Sequence, residues 1–405
     1  MPTESEEVWR YSPINELDLE SFTPVATGTG PRSEEGASFS DAMASKLGAL
    51  SGQVTVHNGQ PGPFGVSGDD ALFGFGRTAD VPDAADLLGS VQVGGDALVR
   101  LNDAFMPDAA IVDVPAGVLV PHPILIVHWC EGGEVGSAAF PRTAVRLGAN
   151  AQAAVVEIFA GPSVGTRSLV VPVTELTAGD GSRLSYVSLQ VLSDSVWSIA
   201  RLSGAAEKDA TLRTFTVGLG ADYDRVRTDI AARGRGAHCE ILSAYVGNGT
   251  QVHDIRTLQD HVAPRTSSEL LCQGAVAGNS RSVYSGLIRV HRGAVRTDAR
   301  QTNHNLVLDE GAHADSVPNL DILENDVKCA HASTVGPIDE DQRYYIESRG
   351  VAPEVAEGLI VQGFFDAIID RGPVSAATAL LQDEVHARLD TAFANRRLVR
   401  ESAHA

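Results

Sequence analysis

The chain has 405 residues, of which 43% are hydrophobic and 20% charged, enough for a large core and more than one packed unit. Its formal net charge is -21, from 52 acidic and 31 basic residues, which excludes nucleic acid and anionic membrane as natural partners, since both need basic surface. No run approaches the length of a membrane span, and the acidic opening Met1-Pro-Thr-Glu-Ser-Glu-Glu7 has no apolar stretch that would make it a signal peptide.

Residues 1–40 are rich in Glu, Ser, Pro, Thr and Gly and are expected to be poorly ordered, apart from an anchor at Trp9-Arg-Tyr-Ser-Pro-Ile14. Ser40 to Leu50 reads as a helix with Ser40 as its cap, and 51–76 as Gly-rich loops with short strands. Asp83 to Leu88 reads as a helical turn, and Leu98 to Phe105 as a second helix. Residues 1–105 are taken as an irregular, partly helical N-terminal domain.

From 106 to 336 the texture is uniform. Short apolar-alternating runs, among them Ile124–His128, Ala153–Phe159, Leu184–Val191, His238–Val246 and Ser282–Val290, are separated by Gly, Asn or Asp turns. Many are introduced by a Gly and a small residue, which places corners at Gly148, Gly236, Gly293 and Gly311. No helical pattern interrupts the region, so a doubly wound α/β sheet is excluded. A sandwich, a propeller and a β-helix remain, and the small-residue corners favour a stacked β-helix. Spacings between the corners are irregular, so no strict repeat can be read.

After Pro337 the pattern turns helical, giving a C-terminal helical domain over 337–405. Asp339 and Gln342 have the form of a capping box, and Gly350 stops that helix. Pro353 opens the next, in which Val355, Leu359, Ile360, Phe364, Ile368 and Ile369 fall at helical spacing. A third helix spans about 376–397. So small a unit needs its apolar stripe covered by the β region or by a partner.

The sequence carries no phosphate-binding loop, no His-Glu-x-x-His and no Gly-x-Ser-x-Gly. The four cysteines, 130, 239, 272 and 329, form no Cys-x-x-Cys and read as reduced cytoplasmic thiols. Cys130, Cys239 and Cys272 lie in apolar runs and read as small buried hydrophobes, while His253, His261 and His291 read as hydrogen-bonded structural groups. Cys329-x-His331 differs. In a strand, residues i and i+2 share a face, so thiol and imidazole can reach one iron or sulfur, with Glu324 and Asp326 just upstream. The pair also fits a buried thiol beside a satisfied imidazole, and two ligands cannot close a four-ligand site.

Several segments together resemble the SufB/SufD family of iron–sulfur cluster assembly scaffolds: Gln301-Thr-Asn-His-Asn-Leu-Val-Leu308, Pro318-Asn-Leu-Asp-Ile322, Asp326-Val-Lys-Cys-Ala-His-Ala-Ser-Thr-Val-Gly336, Ile338-Asp-Glu-Asp-Gln342 and Tyr345-x-x-Ser-Arg-Gly350. The likeness extends through Ala356 to Phe365, with weaker agreement at Leu101-Asn-x-Ala-Phe105 and Trp9-Arg-Tyr. The length and the Trp-Arg-Tyr opening are most like the SufD branch; Ala332-Ser-Thr stands where the family has Gly-Ala-Thr. The resemblance implies a right-handed parallel β-helix core and a non-enzymatic scaffold. It implies pairing with a SufB paralogue through the β-helix, and docking of the SufC ATPase on the C-terminal helices, with Tyr345, Leu359, Ile360, Phe364 and Ile368 as candidate contacts. It places His331 and Cys329 at a cluster-building site shared with SufB. The iron–sulfur cluster is held there transiently, with none tightly bound by the chain alone. The alternative is a β-helical carbohydrate-active lyase or hydrolase, for which the sequence shows no acidic ladder.

Overall fold

The computed structural model describes residues 3, 6–25, 33–67, 72–91, 96–132, 136–162 and 167–403, with side chains to Arg396. Two long sheets run the length of the molecule, and the chain passes alternately from one to the other. In one, Tyr223 lies beside Val252, Val252 beside Arg281 and Arg281 beside His313, all parallel. In the other, Leu212, Cys239, Ser268, Ala299 and Cys329 stack likewise. Each coil takes about 30 residues, as in other stacked solenoids. The fold is a parallel β-helix.

Alternation along each strand divides inside from outside. Inward residues such as Val155, Tyr186, Ile230, Ile255, Leu270 and Tyr284 fill the lumen. Outward residues of the second sheet are apolar too, among them Val156, Ile158, Val187, Leu189, Phe215, Val217 and Leu242. These strands are therefore buried on both faces and read as continuous apolar runs. Helices cover that outer face: α1 (Glu34–Leu47), α4 (Pro353–Ile369) and α5 (Thr378–Ala403) contribute Met43, Leu47, Val361, Phe365, Ile368, Ile369, Leu380, Leu381, Val385 and Leu389. The other helices are α2 (Ala97–Phe105) and α3 (Glu340–Glu347). No helix among the described residues is long and apolar enough to cross a membrane.

Three expectations need correction. α1 begins six residues before Ser40, capped by Ser33, whose hydroxyl accepts from the Gly36 N–H; Ser40 is buried inside it. Residues 6–25 are built rather than loose, because Trp9, Ile14 and Leu17 pack into a cluster with Phe140, Trp197 and Tyr223; residues 1, 2, 4, 5 and 26–32 lie outside the described residues. The segment before 106 also joins both sheets: Gly52–His57 pairs in parallel with Ile124–Trp129, and Gly74–Gly76 pairs with Ala110–Val114.

The corners explain why the repeat is hard to see. One column of turn residues, Asn150, Gly181, Asp209, Gly236, Arg265 and Arg296, has positive φ in every coil. Each of their N–H groups donates to a carbonyl of the next coil. Of the four corner glycines named above, only Gly236 belongs to this column. Gly293 also has φ above zero, whereas Gly148 and Gly311 serve close approach: a Cβ on Gly148 would lie 2.6 Å from the Ala116 nitrogen, and one on Gly311 would lie 2.8 Å from the Gly278 oxygen.

Candidate cluster site at the open end of the β-helix

Among the described residues, no further strand follows the last coil of the β-helix. His313–Ile322 is the last strand of one sheet and Lys328–Gly336 of the other, each paired on one side only. Inward side chains of these two strands therefore face a mouth rather than another coil. Leu320, Ile322 and Val335 are all more than a third exposed there, and the Ser333 hydroxyl donates across to Ser316 at 2.6 Å.

Cys329 and His331 sit on this inward face. Cys329 stacks on the fully buried Ala299, and His331 on Gln301. Cys329 is half-buried against Ile288, Val290 and Ala294, while His331 is exposed. Burial, with the Asp298 carboxylate adding to it, holds the Cys329 thiol above its ordinary range. A bound metal ion reverses that preference, because a coordinating thiol gives up its proton. The two upstream carboxylates belong to the turn instead. Glu324 accepts from the N–H groups of Gly293 (3.0 Å) and Asn325 (2.8 Å), which hold its carboxyl below the usual range. Asp326 lies 3.7 Å from Arg296. No group of three or more His, Cys, Asp or Glu among the described residues could hold a metal.

Sequence reasoning missed Gln301. Its amide is buried directly below His331, and neither its nitrogen nor its oxygen has a hydrogen-bond partner among the described residues. Gly286 makes the space, since a Cβ there would lie 2.3 Å from the Gln301 Nε2. The available signal was strand alternation, which puts Gln301 inward with Ala299 and Asn303.

Cys130, Cys239 and Cys272 are buried, and His253, His261 and His291 each meet a hydrogen-bonding neighbour. Burial pushes the thiols of Cys130, Cys239 and Cys272 up to about 12. His253 meets Asp224 at 3.3 Å, His261 meets Thr266 and Ser268, and His291 meets Asp260 at 2.8 Å. A buried polar centre that the sequence did not announce lies deeper in the lumen. The Glu157 carboxylate contacts His128 at 2.7 Å and accepts from the hydroxyls of Thr143, Thr174 and Tyr186. Burial alone would raise its pKa; these partners outweigh burial and hold it below the usual range.

On the helical side, Asp339 caps α3 by accepting from the N–H groups of Asp341 and Gln342. Tyr344 and Tyr345 on α3 are 73% and 60% exposed, and Val355 and Leu359 on α4 are 54% and 50% exposed. Ile360 and Phe364 are half-buried. Ile368 is fully buried against the β-helix, so the structure removes it from any partner-facing surface. Val355 and Leu359 line a groove of about 250 Å³ with Phe393 of α5. Arg396 pins α5 to the tube through Asp309, the Leu308 carbonyl and Glu357 of α4.

The family model described as SUF system FeS cluster assembly, SufBD core domain, matches residues 129–364, more than half of the chain. The chain belongs to the SufBD family. An iron–sulfur cluster assembly SufBD family protein of Mycobacterium leprae is 28% identical over 92% of this chain and 86% of its own length. The iron–sulfur cluster assembly protein SufD of Escherichia coli is 26% identical over 90% of this chain and 84% of its own. SufD of Bacillus subtilis is 26% identical over 76% and 71%. The SufBD match covers every coil from Trp129 to the mouth and most of α4, and it sets aside the carbohydrate-active alternative.

Proposed function

We propose that this chain is a SufD-type scaffold subunit of iron–sulfur cluster assembly in the cytoplasm, with no catalytic step of its own. It pairs with a SufB-like paralogue through the open end of the β-helix and carries a SufC-like ATPase on α3 and α4. Iron and sulfide are its cargo, held transiently by His331 and Cys329 together with groups from the paralogue.

The observation that carries this reading is the position of Cys329 and His331 on adjacent inward positions of a strand that, among the described residues, pairs on one side only. Both reach into a space that a second molecule would close. Two ligands are too few for iron, so the others must cross an interface. Unpaired strand edges with exposed Leu320, Ile322 and Val335 supply the means of pairing. The exposed pairs Tyr344–Tyr345 and Val355–Leu359 offer a separate surface on the helices.

The test is co-expression with a SufB-like and a SufC-like protein, followed by affinity capture of this chain and iron and sulfide analysis of the complex. All three chains should elute together, and His331→Ala should lower the iron content without dispersing them. Elution of this chain alone, under conditions where the other two are soluble, would sink the reading.

A further inference from the structure

The lining of the lumen changes character directly beneath His331. His331 heads a row of inward residues that runs down the second sheet through Gln301, Leu270 and Ile241, each in register with the next. Leu270 and Ile241 are buried in the apolar lumen. Gln301 breaks the row one coil below the mouth. It is 1% exposed, and among the described residues neither end of its amide is hydrogen-bonded. Its inward neighbours on the same strand are paired. Asn305 donates to Asn303 at 2.8 Å, Asn303 donates to the Cys272 carbonyl at 3.3 Å, and the Tyr245 hydroxyl donates to Asn305.

An unpaired buried amide destabilises a fold, and an apolar residue of similar size would avoid the cost. The lumen nonetheless keeps room for this one. A Cβ on Gly286, across the lumen, would lie 2.3 Å from the Gln301 Nε2 and 2.3 Å from the Tyr284 hydroxyl. That hydroxyl is already engaged with Thr257 at 3.3 Å. On the mouth side, the residue in register with Gln301 is His331, one strand spacing or about 4.8 Å away.

We propose that Gln301 is a positioning residue: its Oε1 accepts the ring N–H of His331 and turns the other ring nitrogen towards the mouth, where it meets iron. This role rests on the scaffold reading, in which His331 holds cargo iron. A neutral imidazole has one N–H and one lone pair. Iron takes the lone pair, and metal-binding histidines almost always give the N–H to a fixed acceptor. Glu324 and Asp326, the carboxylates just upstream, are engaged at the turn with the Gly293 and Asn325 N–H groups and with Arg296. Gln301 is an uncommitted acceptor, and being neutral it orients the ring without burying a charge beneath it.

The experiment has two arms. In the full chain alone, long-range proton–nitrogen spectra of isotope-labelled histidine read the tautomer of His331 at a pH where the ring is neutral, with His331→Ala assigning the signal. One tautomer should dominate in the native chain, and Gln301→Leu should return the ratio to that of free histidine. In the complex co-expressed with a SufB-like and a SufC-like protein, Gln301→Leu should retain at least tenfold less iron. Gln301→Glu, which keeps an acceptor, should restore most of it. The melting temperature of Gln301→Leu should hold or rise, because an unpaired amide has been replaced by an apolar side chain, so its loss of iron is not a loss of folding. An unchanged tautomer ratio in Gln301→Leu would overturn the proposal. So would full iron in Gln301→Leu beside a depleted His331→Ala complex, and either result leaves the scaffold reading standing. Full iron in His331→Ala as well would remove the ligand role itself, and the positioning role with it.

Discussion

Cys329 and His331 occupy successive inward positions of the last strand, seated on Ala299 and Gln301 of the coil beneath, with no coil above them. Earlier inward pairs at these positions are followed by a further paired strand of this sheet; among the described residues this pair is not. His331→Ala should therefore abolish cluster delivery in a complementation assay while the three-chain complex still forms. Cys329→Ser should be milder, because burial holds its thiol protonated until a metal arrives. Full activity of the His331→Ala strain would make the imidazole structural.

The mouth should also govern pairing. Leu320 and Val335 are inward-facing by register yet 40% and 43% exposed. Replacing both with Lys places charge where a second β-helix would stack. The double variant should lose the SufB-like paralogue in size-exclusion chromatography and retain its own melting temperature within a few degrees. Undiminished co-elution would move the interface elsewhere.

On the helices, buried and exposed apolar positions separate two roles. Leu359→Asp with Val355→Asp should lose the SufC-like ATPase in a pull-down and leave stability unchanged, since both side chains are half exposed. Ile368→Ala should instead destabilise the chain by about 2–5 kcal/mol, the usual range for emptying such a site. Denaturant unfolding distinguishes them. Tight ATPase binding by the double Asp variant would remove this face from the interface.

How much of this was legible can be argued residue by residue. Alternation gave the strands, and the Cys-x-His spacing gave the shared face, because both depend only on local period. The coil repeat stayed hidden because its obligatory positive-φ corner is filled by Asn, Gly, Asp or Arg in turn. Gly is the cheapest residue there, but a stacked N–H···O bond in each coil holds the others in place. The stripe on α4 was misassigned by mixing two faces. Val361 and Phe365 point at the tube, while Val355 and Leu359 point away, and with apolar residues nearly all round the helix its period carries little information. Gln301 and Glu157 escaped notice because their meaning lies in neighbours from other coils.

His261 offers a test of the lumen itself. Burial lowers its pKa to about 4, and its two ring nitrogens meet the hydroxyls of Thr266 and Ser268 at 2.8 and 2.7 Å. In the unfolded chain a histidine titrates near about 6.5. Between those values the unfolded chain holds a proton that the folded chain refuses, so stability rises with pH across that window. The full contribution is present above about pH 6.5, and about 2–3 kcal/mol of it is lost as the pH falls towards 4. His261→Gln keeps a donor and an acceptor but does not titrate. Urea unfolding at several pH values between 7.5 and 4.5 should show the wild-type chain losing stability faster than the variant. Parallel curves would place the acid sensitivity in other groups and leave His261 outside it.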